Sequence, residues 1–211
     1  MKGRLIVLEG IDGCGKSTQI DHLTQWLPTS GVMPKASKLH VTREPGGTAL
    51  GTSLRQILLG STKENSPEPL TELLLYAADR AQHISQIILP ALQQGDWVLS
   101  DRFSASTTAY QGYGRNIDME LIRKLEEIAT QGISPDLTIW LDIEIEKSFE
   151  RRVQKSKDRI EAEGKNFLEK VAFGFGVLAT ERNWLRVSAD NECNLVSTQI
   201  EKSIKKYFEN L

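Results

Sequence analysis

The sequence has little cysteine and histidine and no excess of charge, and each shortage excludes a class of protein. Two cysteines among 211 residues are too few for a disulfide framework, and neither they nor the three histidines have the spacing of metal ligands. The 26 basic and 28 acidic residues give a net charge of −2, which argues against a nucleic-acid coat but allows a local basic pocket. Chemistry must therefore rest on carboxylates, arginines and the motifs below.

Long apolar runs are also absent. Neither a signal-peptide core nor a membrane-spanning stretch follows the N-terminus, so we expect a cytoplasmic protein without a membrane segment. The length suits one large domain, and the 39% hydrophobic residues can form a sizeable core. We expect a single domain over residues 1–211.

What the sequence does contain is a regular alternation of short apolar strands with longer helical patterns. Strands are predicted over 5–9, 39–43, 97–100, 137–142 and 184–188. Helices are predicted over 18–27, 49–59, 70–94 with a bend near Pro90, 118–131, 144–153, 166–181 and 192–209. This order predicts an α/β fold with a parallel sheet of about five strands and helices on both faces. Ligands of such a sheet bind beyond the carboxyl ends of the strands.

The strongest motif is a glycine-rich loop between the first strand and the first helix. It matches the pattern G-x-x-x-x-G-K-[ST], with a strand before it and a helix after it. Its backbone N–H groups and the helix N-terminus would hold phosphate oxygens, Lys16 would reach the β/γ-phosphates, and Ser17 would bind Mg²⁺. The motif predicts that the protein binds a nucleoside triphosphate through these residues: Gly10, Ile11, Asp12, Gly13, Cys14, Gly15, Lys16, Ser17 and Thr18.

Asp101 and Arg102 end the third strand. An acidic residue at that position holds Mg²⁺ in other phosphate-loop proteins, directly or through water. A guanine-reading Asn-Lys-x-Asp is absent, which excludes a typical GTP switch, and a cation rather than a glutamate base follows the aspartate. A cation there suits a second anionic substrate better than water activation, so the sequence favours transfer between two phosphorylated molecules.

Three further groups of residues are candidates for that second substrate. Arg43, followed by Gly46 and Gly47, lies at the same predicted sheet edge. Tyr76 and Arg80 share a helix face, which would allow a ring to stack on a base while a guanidinium binds its edge. The hydroxyl- and amide-rich run 104–112 follows Arg102 and could form a pocket for a base and sugar.

A short charged segment, about 154–165, is expected to form a lid between two helices. Five of the nine residues in 151–159 are cationic, in a chain whose net charge is slightly negative. Cations in a lid could close over ATP and neutralise the transferring phosphoryl group. We therefore consider these three arginines candidate catalytic residues, together with two cations outside the segment: Lys16, Arg102, Arg151, Arg152 and Arg159. For the charged segment itself, a solvated face is the alternative.

Together these motifs resemble the thymidylate kinase family, and the resemblance extends over nearly the whole chain. It rests on six segments: 9–19, 42–48, 78–83, 101–103, 109–112 and 158–161. The resemblance implies a phosphate-loop kinase that converts ATP and dTMP into ADP and dTDP with Mg²⁺, usually as a homodimer. Two small-molecule substrates are implied, and no nucleic-acid or membrane partner.

The resemblance also implies roles for individual residues. Tyr76 would stack on thymine, Arg80 would bind the base edge, and Tyr110 would lie against the deoxyribose. The remaining implied contacts are base contacts from Ser106 and Gln111, a base pocket that includes Thr107, a dTMP phosphate held by Asp12, Arg43 and Arg102, and Mg²⁺ held by Ser17 and Asp101.

Three departures from the family pattern accompany the resemblance. The phosphate loop lacks an arginine between Asp12 and Lys16, which is typical of the branch whose lid supplies the cation. Ala172 and Phe175 occupy positions where arginine and tyrosine are common, and Thr107 replaces a frequent asparagine. The alternatives are another nucleoside monophosphate or deoxynucleoside kinase and a nucleotide-dependent regulator.

Overall fold

The computed structural model of the chain describes residues 3–60, 65–152, 159–160 and 163–209. These residues contain a parallel sheet of five strands in the order β2-β3-β1-β4-β5. The strands are β1 (Arg4–Glu9), β2 (Leu39–Arg43), β3 (Trp97–Asp101), β4 (Leu137–Asp142) and β5 (Leu185–Ser188). The helices are α1 (Lys16–Trp26), α2 (Ala49–Gly60), α3 (Pro69–His83), α4 (Leu89–Gln93), α5 (Ser104–Thr107), α6 (Met119–Thr130), α7 (Ile145–Glu150), α8 (Lys165–Glu181) and α9 (Cys193–Glu209). The predicted α/β class with about five parallel strands is confirmed.

Both faces of the central strand β1 are buried under helices. Leu5 and Val7 join a small core with residues around α4, whereas Ile6 and Leu8 join a larger core with α1, α8 and α9. Successive side chains of a strand point to opposite faces, so a strand covered on both sides needs an unbroken apolar run. The sheet therefore holds the carboxyl ends of β1 and β3 side by side, with Leu8 paired to Asp101.

Helix boundaries follow the local sequence signals closely. Thr48 caps α2, since its Oγ1 accepts a hydrogen bond from the Gly51 N–H at 2.9 Å. Asp118 likewise caps α6, accepting from the Glu120 N–H at 3.0 Å. The irregularity expected near Pro90 takes the form of a wide π turn over Ile84–Ile88, just before the proline. Pro90 has no N–H to donate and its ring crowds the carbonyl four residues before it, so the regular α-helical hydrogen bonds are interrupted there.

One helical segment was not predicted. The polar run after β3 forms α5 and then a π turn over Thr108–Gly114, which packs along α8. The sequence there is rich in serine, threonine and glycine, which are poor helix formers, so local propensity alone gives no helix signal.

The predicted lid lies largely outside the described residues. Of its expected range, 154–158 and 161–162 are not described, and Val153, the expected end of α7, is not described either. Within the described ranges, α7 ends at Glu150, and Arg151 and Arg152 follow it in a turn. Among the described helices, none has the length and apolar character needed to cross a membrane.

Candidate active site

The glycine-rich loop joins β1 to α1 at the carboxyl edge of the sheet. Gly10, Gly13 and Gly15 all have positive φ, of 141°, 84° and 96°, which a residue with a side chain rarely adopts. Gly15 precedes the first helical residue and offers no side-chain cap. The first N–H groups of α1 therefore have no intrahelical acceptor, and a helix N-terminus of this kind is a ready anion site.

Lys16 lies across this loop with its ammonium group buried. Its Nζ donates to the carbonyl oxygens of Gly10 and Ile11, each at 3.0 Å, and lies 3.9 Å from Asp12 Oδ1. The ammonium group is thus held against carbonyl oxygens of the loop. Its contact with the β/γ-phosphates stays a prediction.

Arg102 connects the loop to the residues that follow β3. Its backbone φ is 72°, an uncommon left-handed conformation for a residue with a side chain. Nη1 donates to the Gly10 carbonyl at 2.9 Å and to Ser106 Oγ at 3.0 Å, and Nη2 donates to Asp12 Oδ1 at 2.5 Å. A single guanidinium group therefore contacts both the phosphate loop and the segment predicted to bind the second substrate.

The charges around Asp12 keep that carboxyl ionised. Burial alone would raise its pKa, but the charges of Arg102 and Lys16 outweigh burial and hold the pKa well below its usual range. Burial raises the pKa of Tyr110 well above its ordinary value, so its hydroxyl stays a donor, to Asp12 Oδ2 at 3.1 Å.

A pocket opens beside Arg102, and we call it the main pocket. Its lining consists of Asp12, Glu44, Pro45, Arg55, Leu59, Tyr76, Arg80, Arg102, Phe103, Ser106, Thr107, Tyr110, Gln111 and Ile160. Of the nine residues predicted to bind the second substrate, all except Arg43 are in this set. The structure thus brings together side chains from the loop, α3 and the segment after β3.

Arg80 is fixed in the wall of the main pocket by a buried carboxylate. Its Nε donates to Glu44 Oε2 at 2.8 Å, and its Nη2 donates to the Phe103 carbonyl at 3.2 Å. The other oxygen of Glu44 lies 2.9 Å from His83 Nδ1, and His83 Nε2 lies 2.6 Å from Thr42 Oγ1. This chain of contacts leaves the guanidinium little freedom, because Arg80 and Glu44 are both buried.

A second, more open cleft contains the predicted metal ligands, and we call it the edge cleft. It is lined by Ser17, Ile20, Asp21, Val41, Thr42, Arg43, Gly46, Gly47 and Asp101. Asp101 Oδ1 is shielded from solvent and accepts no hydrogen bond from the described part of the chain. Arg43 is exposed in this cleft rather than in the main pocket, at the end of β2 and in register with Asp101.

The three candidate lid arginines have different surroundings. Arg152 is buried and packs on the loop, since a Cβ at Gly13 would lie 3.2 Å from its Cγ, and its Nε donates to the Ser148 carbonyl at 3.1 Å. Arg151 donates to the Ala189 carbonyl at 2.9 Å. Arg159 forms an ion pair with Glu72 on α3 and donates to the Leu58 carbonyl at 3.0 Å. Arg152 is therefore the member of the set in contact with the phosphate loop.

Three buried carboxylates behind the site were not predicted: Glu9, Glu44 and Glu72. Glu9 ends β1, and its two oxygens accept hydrogen bonds from the Phe103 N–H at 2.9 Å and from Ser106 Oγ at 2.7 Å. Burial raises the pKa of Glu9 to about 7, against the opposing effect of the Arg102 charge. An acidic residue that closes an otherwise apolar strand was the available signal for Glu9. Glu44 lies within the family segment 42–48, which gave no sign of its contact with Arg80, and Glu72 stands in no recognisable pattern.

Comparison with known proteins identifies the family to which the chain is similar. The family model for thymidylate kinase matches residues 8–200. The chain is 61% identical over 208 residues to a thymidylate kinase of Prochlorococcus marinus strain MIT 9303, covering 99% of this chain and 96% of that protein. It is 56% identical over 207 residues to a thymidylate kinase of Synechococcus sp. strain CC9605, covering 98% and 99% of the two chains.

A solved structure of a thymidylate kinase has a similar fold, at lower sequence identity than these relatives. The thymidylate kinase from Ehrlichia chaffeensis superposes with a TM-score of 0.77 at 31% identity, covering 97% of this chain and all of that one. The resemblance inferred from the motifs is thereby confirmed. The chain belongs to the thymidylate kinase family.

Proposed function

We infer that the protein transfers the γ-phosphoryl group of ATP to dTMP, giving ADP and dTDP, a step towards dTTP. The observation that carries this inference is the position of Arg102, whose guanidinium contacts the phosphate loop and also lines the main pocket. One loop for a triphosphate and one pocket for a second ligand thus share a cation. We propose that the whole chain, 1–211, acts as one phosphate-loop kinase domain in the cytoplasm.

The chemistry requires little proton transfer. A phosphate monoester has its second pKa near 6, so at neutral pH the attacking oxygen of dTMP is largely ionised and needs no strong general base. The barrier lies in bringing two anions together in line, which positioning and positive charge lower. We assign Lys16 to the β/γ-phosphates and Arg102, with Asp12, to the phosphate of dTMP.

The lid cations are assigned to the transferring group. Cations that stabilise this group contribute about 10³–10⁵-fold in related enzymes. Contact with the loop at Gly13 makes Arg152 the best supported of the three, with Arg151 next to it. The ion pair of Arg159 with Glu72 favours a role in holding its segment against α3.

Recognition of dTMP is assigned to the main pocket. Tyr76 is half-buried there and would stack on the base, while the fixed guanidinium of Arg80 would bind a carbonyl on the base edge. Tyr110 would lie against the sugar, and Ser106, Thr107 and Gln111 would complete the base contacts. Arg43 lies in the edge cleft, so its proposed contact with the phosphate would be made from that side.

Magnesium fits the edge cleft. Asp101 has a shielded oxygen that accepts no hydrogen bond from any described residue, and Ser17 has a hydroxyl in the same cleft. Both are hard oxygen donors, which Mg²⁺ prefers. The described ranges contain no group of three or more acidic, histidine or cysteine side chains that could hold a metal. Mg²⁺ usually keeps several waters and takes phosphate oxygens as ligands, so two protein ligands suffice. When bound, the ion would neutralise charge on the β- and γ-phosphates.

The assembly we propose is a homodimer. Four large apolar side chains on the neighbouring helices α2 and α3 are about half exposed: Leu50, Ile57, Leu70 and Leu74. Apolar side chains grouped in this way are typical of an interface. Leu74→Glu should shift sedimentation towards the monomer, and an unchanged sedimentation coefficient would contradict the assignment.

The function is tested by an ADP-release assay with ATP and Mg²⁺, in which dTMP, dUMP, dCMP, dGMP, AMP and thymidine are offered separately. We expect ADP formation to be fastest with dTMP and absent with thymidine, because the acceptor must carry a phosphate. Preference for another monophosphate would keep the chemistry and discard the base assignment. Phosphorylation of thymidine would indicate a deoxynucleoside kinase. If none of the acceptors increases ADP formation, the protein would instead be a nucleotide-dependent regulator.

A further inference from the structure

Glu72 is a fully buried carboxylate on α3, one helical turn before Tyr76. Its Oε1 accepts hydrogen bonds from Gln111 Nε2 at 2.6 Å and from Arg115 Nε at 2.8 Å. Its Oε2 accepts from Arg115 Nη2 at 3.2 Å and pairs with Arg159. Arginine side chains have donors and no acceptor, so a carboxylate between two of them serves as the acceptor in every contact.

This contact fixes which way the Gln111 amide lies. An amide has one acceptor end and one donor end, and the hydrogen-bond network decides between the two orientations. Because Glu72 does not donate, the reversed orientation would bring two acceptor oxygens to within 2.6 Å of one another. The amide nitrogen must therefore lie on Glu72, and the amide oxygen must lie away from it.

The amide oxygen of Gln111 has no hydrogen-bond partner within the described ranges. Gln111 lines the main pocket, and its Oε1 is buried without a hydrogen bond from any of the described residues. A buried acceptor of this kind is costly unless a ligand or water satisfies it. In the same pocket, Arg80 can only donate. We take this unsatisfied oxygen as the acceptor that Gln111 offers to a ligand of the pocket, with Arg80 as the donor beside it.

We propose that Glu72 determines base specificity by holding Gln111 with its oxygen towards the pocket, so that the site selects bases with a carbonyl beside a ring N–H. This proposal rests on the proposed function, since it defines which acceptor bases that same site takes. Thymine and uracil carry this imide edge. Cytosine presents an amino donor beside a ring acceptor, which is the reverse order. Its amino group would face the Arg80 donor, and its ring nitrogen would face the Gln111 acceptor.

Glu72 acts through Gln111 and is a positioning residue. Its two cationic partners offset its negative charge in the interior, and Arg115 also pairs with Glu163 at 2.9 Å. Arg115 does not line the main pocket. Loss of the Arg115 contact alone should weaken the protein but leave the amide of Gln111 on Glu72, which makes Arg115→Met a matched control.

The test compares wild type, Glu72→Gln and Arg115→Met by kcat/KM for dTMP, dUMP and dCMP, with folding checked by circular dichroism. A glutamine at position 72 can donate as well as accept, which allows the Gln111 amide to turn. We expect Glu72→Gln to lower the dTMP:dCMP ratio about tenfold, the value of one hydrogen bond of this kind. The dTMP:dUMP ratio should change less than twofold, because both bases share the imide edge. Arg115→Met should leave both ratios unchanged.

An unchanged dTMP:dCMP ratio in folded Glu72→Gln would overturn the proposal. If that variant does not fold, Gln111→Met removes the acceptor directly and should lower the dTMP:dCMP ratio by a similar factor; a ratio equal to wild type would again overturn it. If wild type forms no ADP with dTMP, the proposed function is wrong as well. If wild type is active but the variants have the same dTMP:dCMP ratio as wild type, only the role of Glu72 in base specificity is wrong.

Discussion

Glu9 should make the stability of this protein depend on pH in a way that one substitution abolishes. The side chain is fully buried, and its pKa rises from 4.5 to about 7 because burial disfavours the charged form. Between these two values the folded state binds more protons at this site than the unfolded state. Stability contributed by the protonated carboxyl is therefore present below pH 4.5 and is lost as the pH rises through 7.

The size of the effect follows from the shift. Each pKa unit corresponds to about 1.4 kcal/mol, so wild type should lose about 2–3 kcal/mol at this site between pH 5 and pH 8. Glu9→Gln keeps the shape and cannot ionise. The free energy of unfolding of wild type minus that of Glu9→Gln should therefore fall by this amount over the same interval.

The assay is urea unfolding of both proteins at half-unit steps from pH 5 to pH 8. Glu120→Gln is the matched control, because Glu120 is a glutamate in a surface ion pair with Lys124 and is 65% exposed. Its difference from wild type should stay within about 0.5 kcal/mol across the range, as for most surface pairs. If the Glu9→Gln difference is equally flat, then burial does not favour the protonated form of Glu9 and the reasoning is wrong.

Three further predictions concern the site. Arg80→Ala should raise the KM for dTMP and lower the free energy of unfolding by about 3–5 kcal/mol, because Glu44 would be left buried without its cation; unchanged values in kinetics and urea unfolding would contradict this. Asp101→Asn should raise the Mg²⁺ concentration needed for half-maximal rate about tenfold or more with little change in the KM for dTMP, and an unaltered Mg²⁺ titration would exclude Asp101 as a ligand. Iodoacetamide should label the exposed Cys193 well before Cys14, whose thiol is buried and has a raised pKa. In the Cys193→Ser variant, Cys14 is the remaining cysteine, and fast labelling of that variant, detected by mass spectrometry, would refute this prediction.

The fold was largely predictable because its strands are unusually explicit in the sequence. A parallel sheet covered on both faces requires unbroken apolar runs, and such runs mark β1 and β4 directly. Caps such as Thr48 and Asp118 then define where helices begin. These signals involve residues close together in the chain, so they can be recognised in a single sequence.

The segment after β3 was not predictable for the opposite reason. Its glycines lower helix propensity, and their purpose is visible only in three dimensions. A Cβ at Gly114 would lie 2.6 Å from a ring atom of Phe167, and a Cβ at Gly174 on α8 would lie 2.6 Å from a ring atom of Tyr113. Close approach of two helical segments therefore explains the glycines, and packing rather than propensity makes the segment helical.

Residues that line the main pocket were easier to predict than the carboxylates behind them. Arg80 and Arg102 stand next to recognisable motifs, whereas Glu44 and Glu72 lie 36 and 39 residues from the side chains they hold, Arg80 and Gln111. No periodicity connects residues that far apart in sequence. Motifs therefore predicted most of the residues that line the main pocket but not the carboxylates that hold them.

The distribution of these carboxylates follows the charge of what each end of the site would bind. At the base end, Arg80 is matched by Glu44, and Arg115 and Arg159 are matched by Glu72 and Glu163. Surplus charge would not strengthen the binding of a neutral base. Donors and acceptors held in fixed directions instead distinguish one base from another.

At the phosphate end, the charged groups of Lys16 and Arg102 contact the loop, where Asp12 is the one acidic residue, and the aliphatic part of Arg152 packs beside Gly13. Cations held in place before the substrates arrive need no reorganisation when negative charge develops, which is the condition for electrostatic catalysis. Asp12 and the Gly10 carbonyl fix the direction of Arg102 without cancelling the loop's positive charge. In the roles proposed above, a cation oriented by a carboxylate, buried Glu44 at one end and partly exposed Asp12 at the other, would serve hydrogen-bond recognition of the base and charge stabilisation of the phosphates respectively.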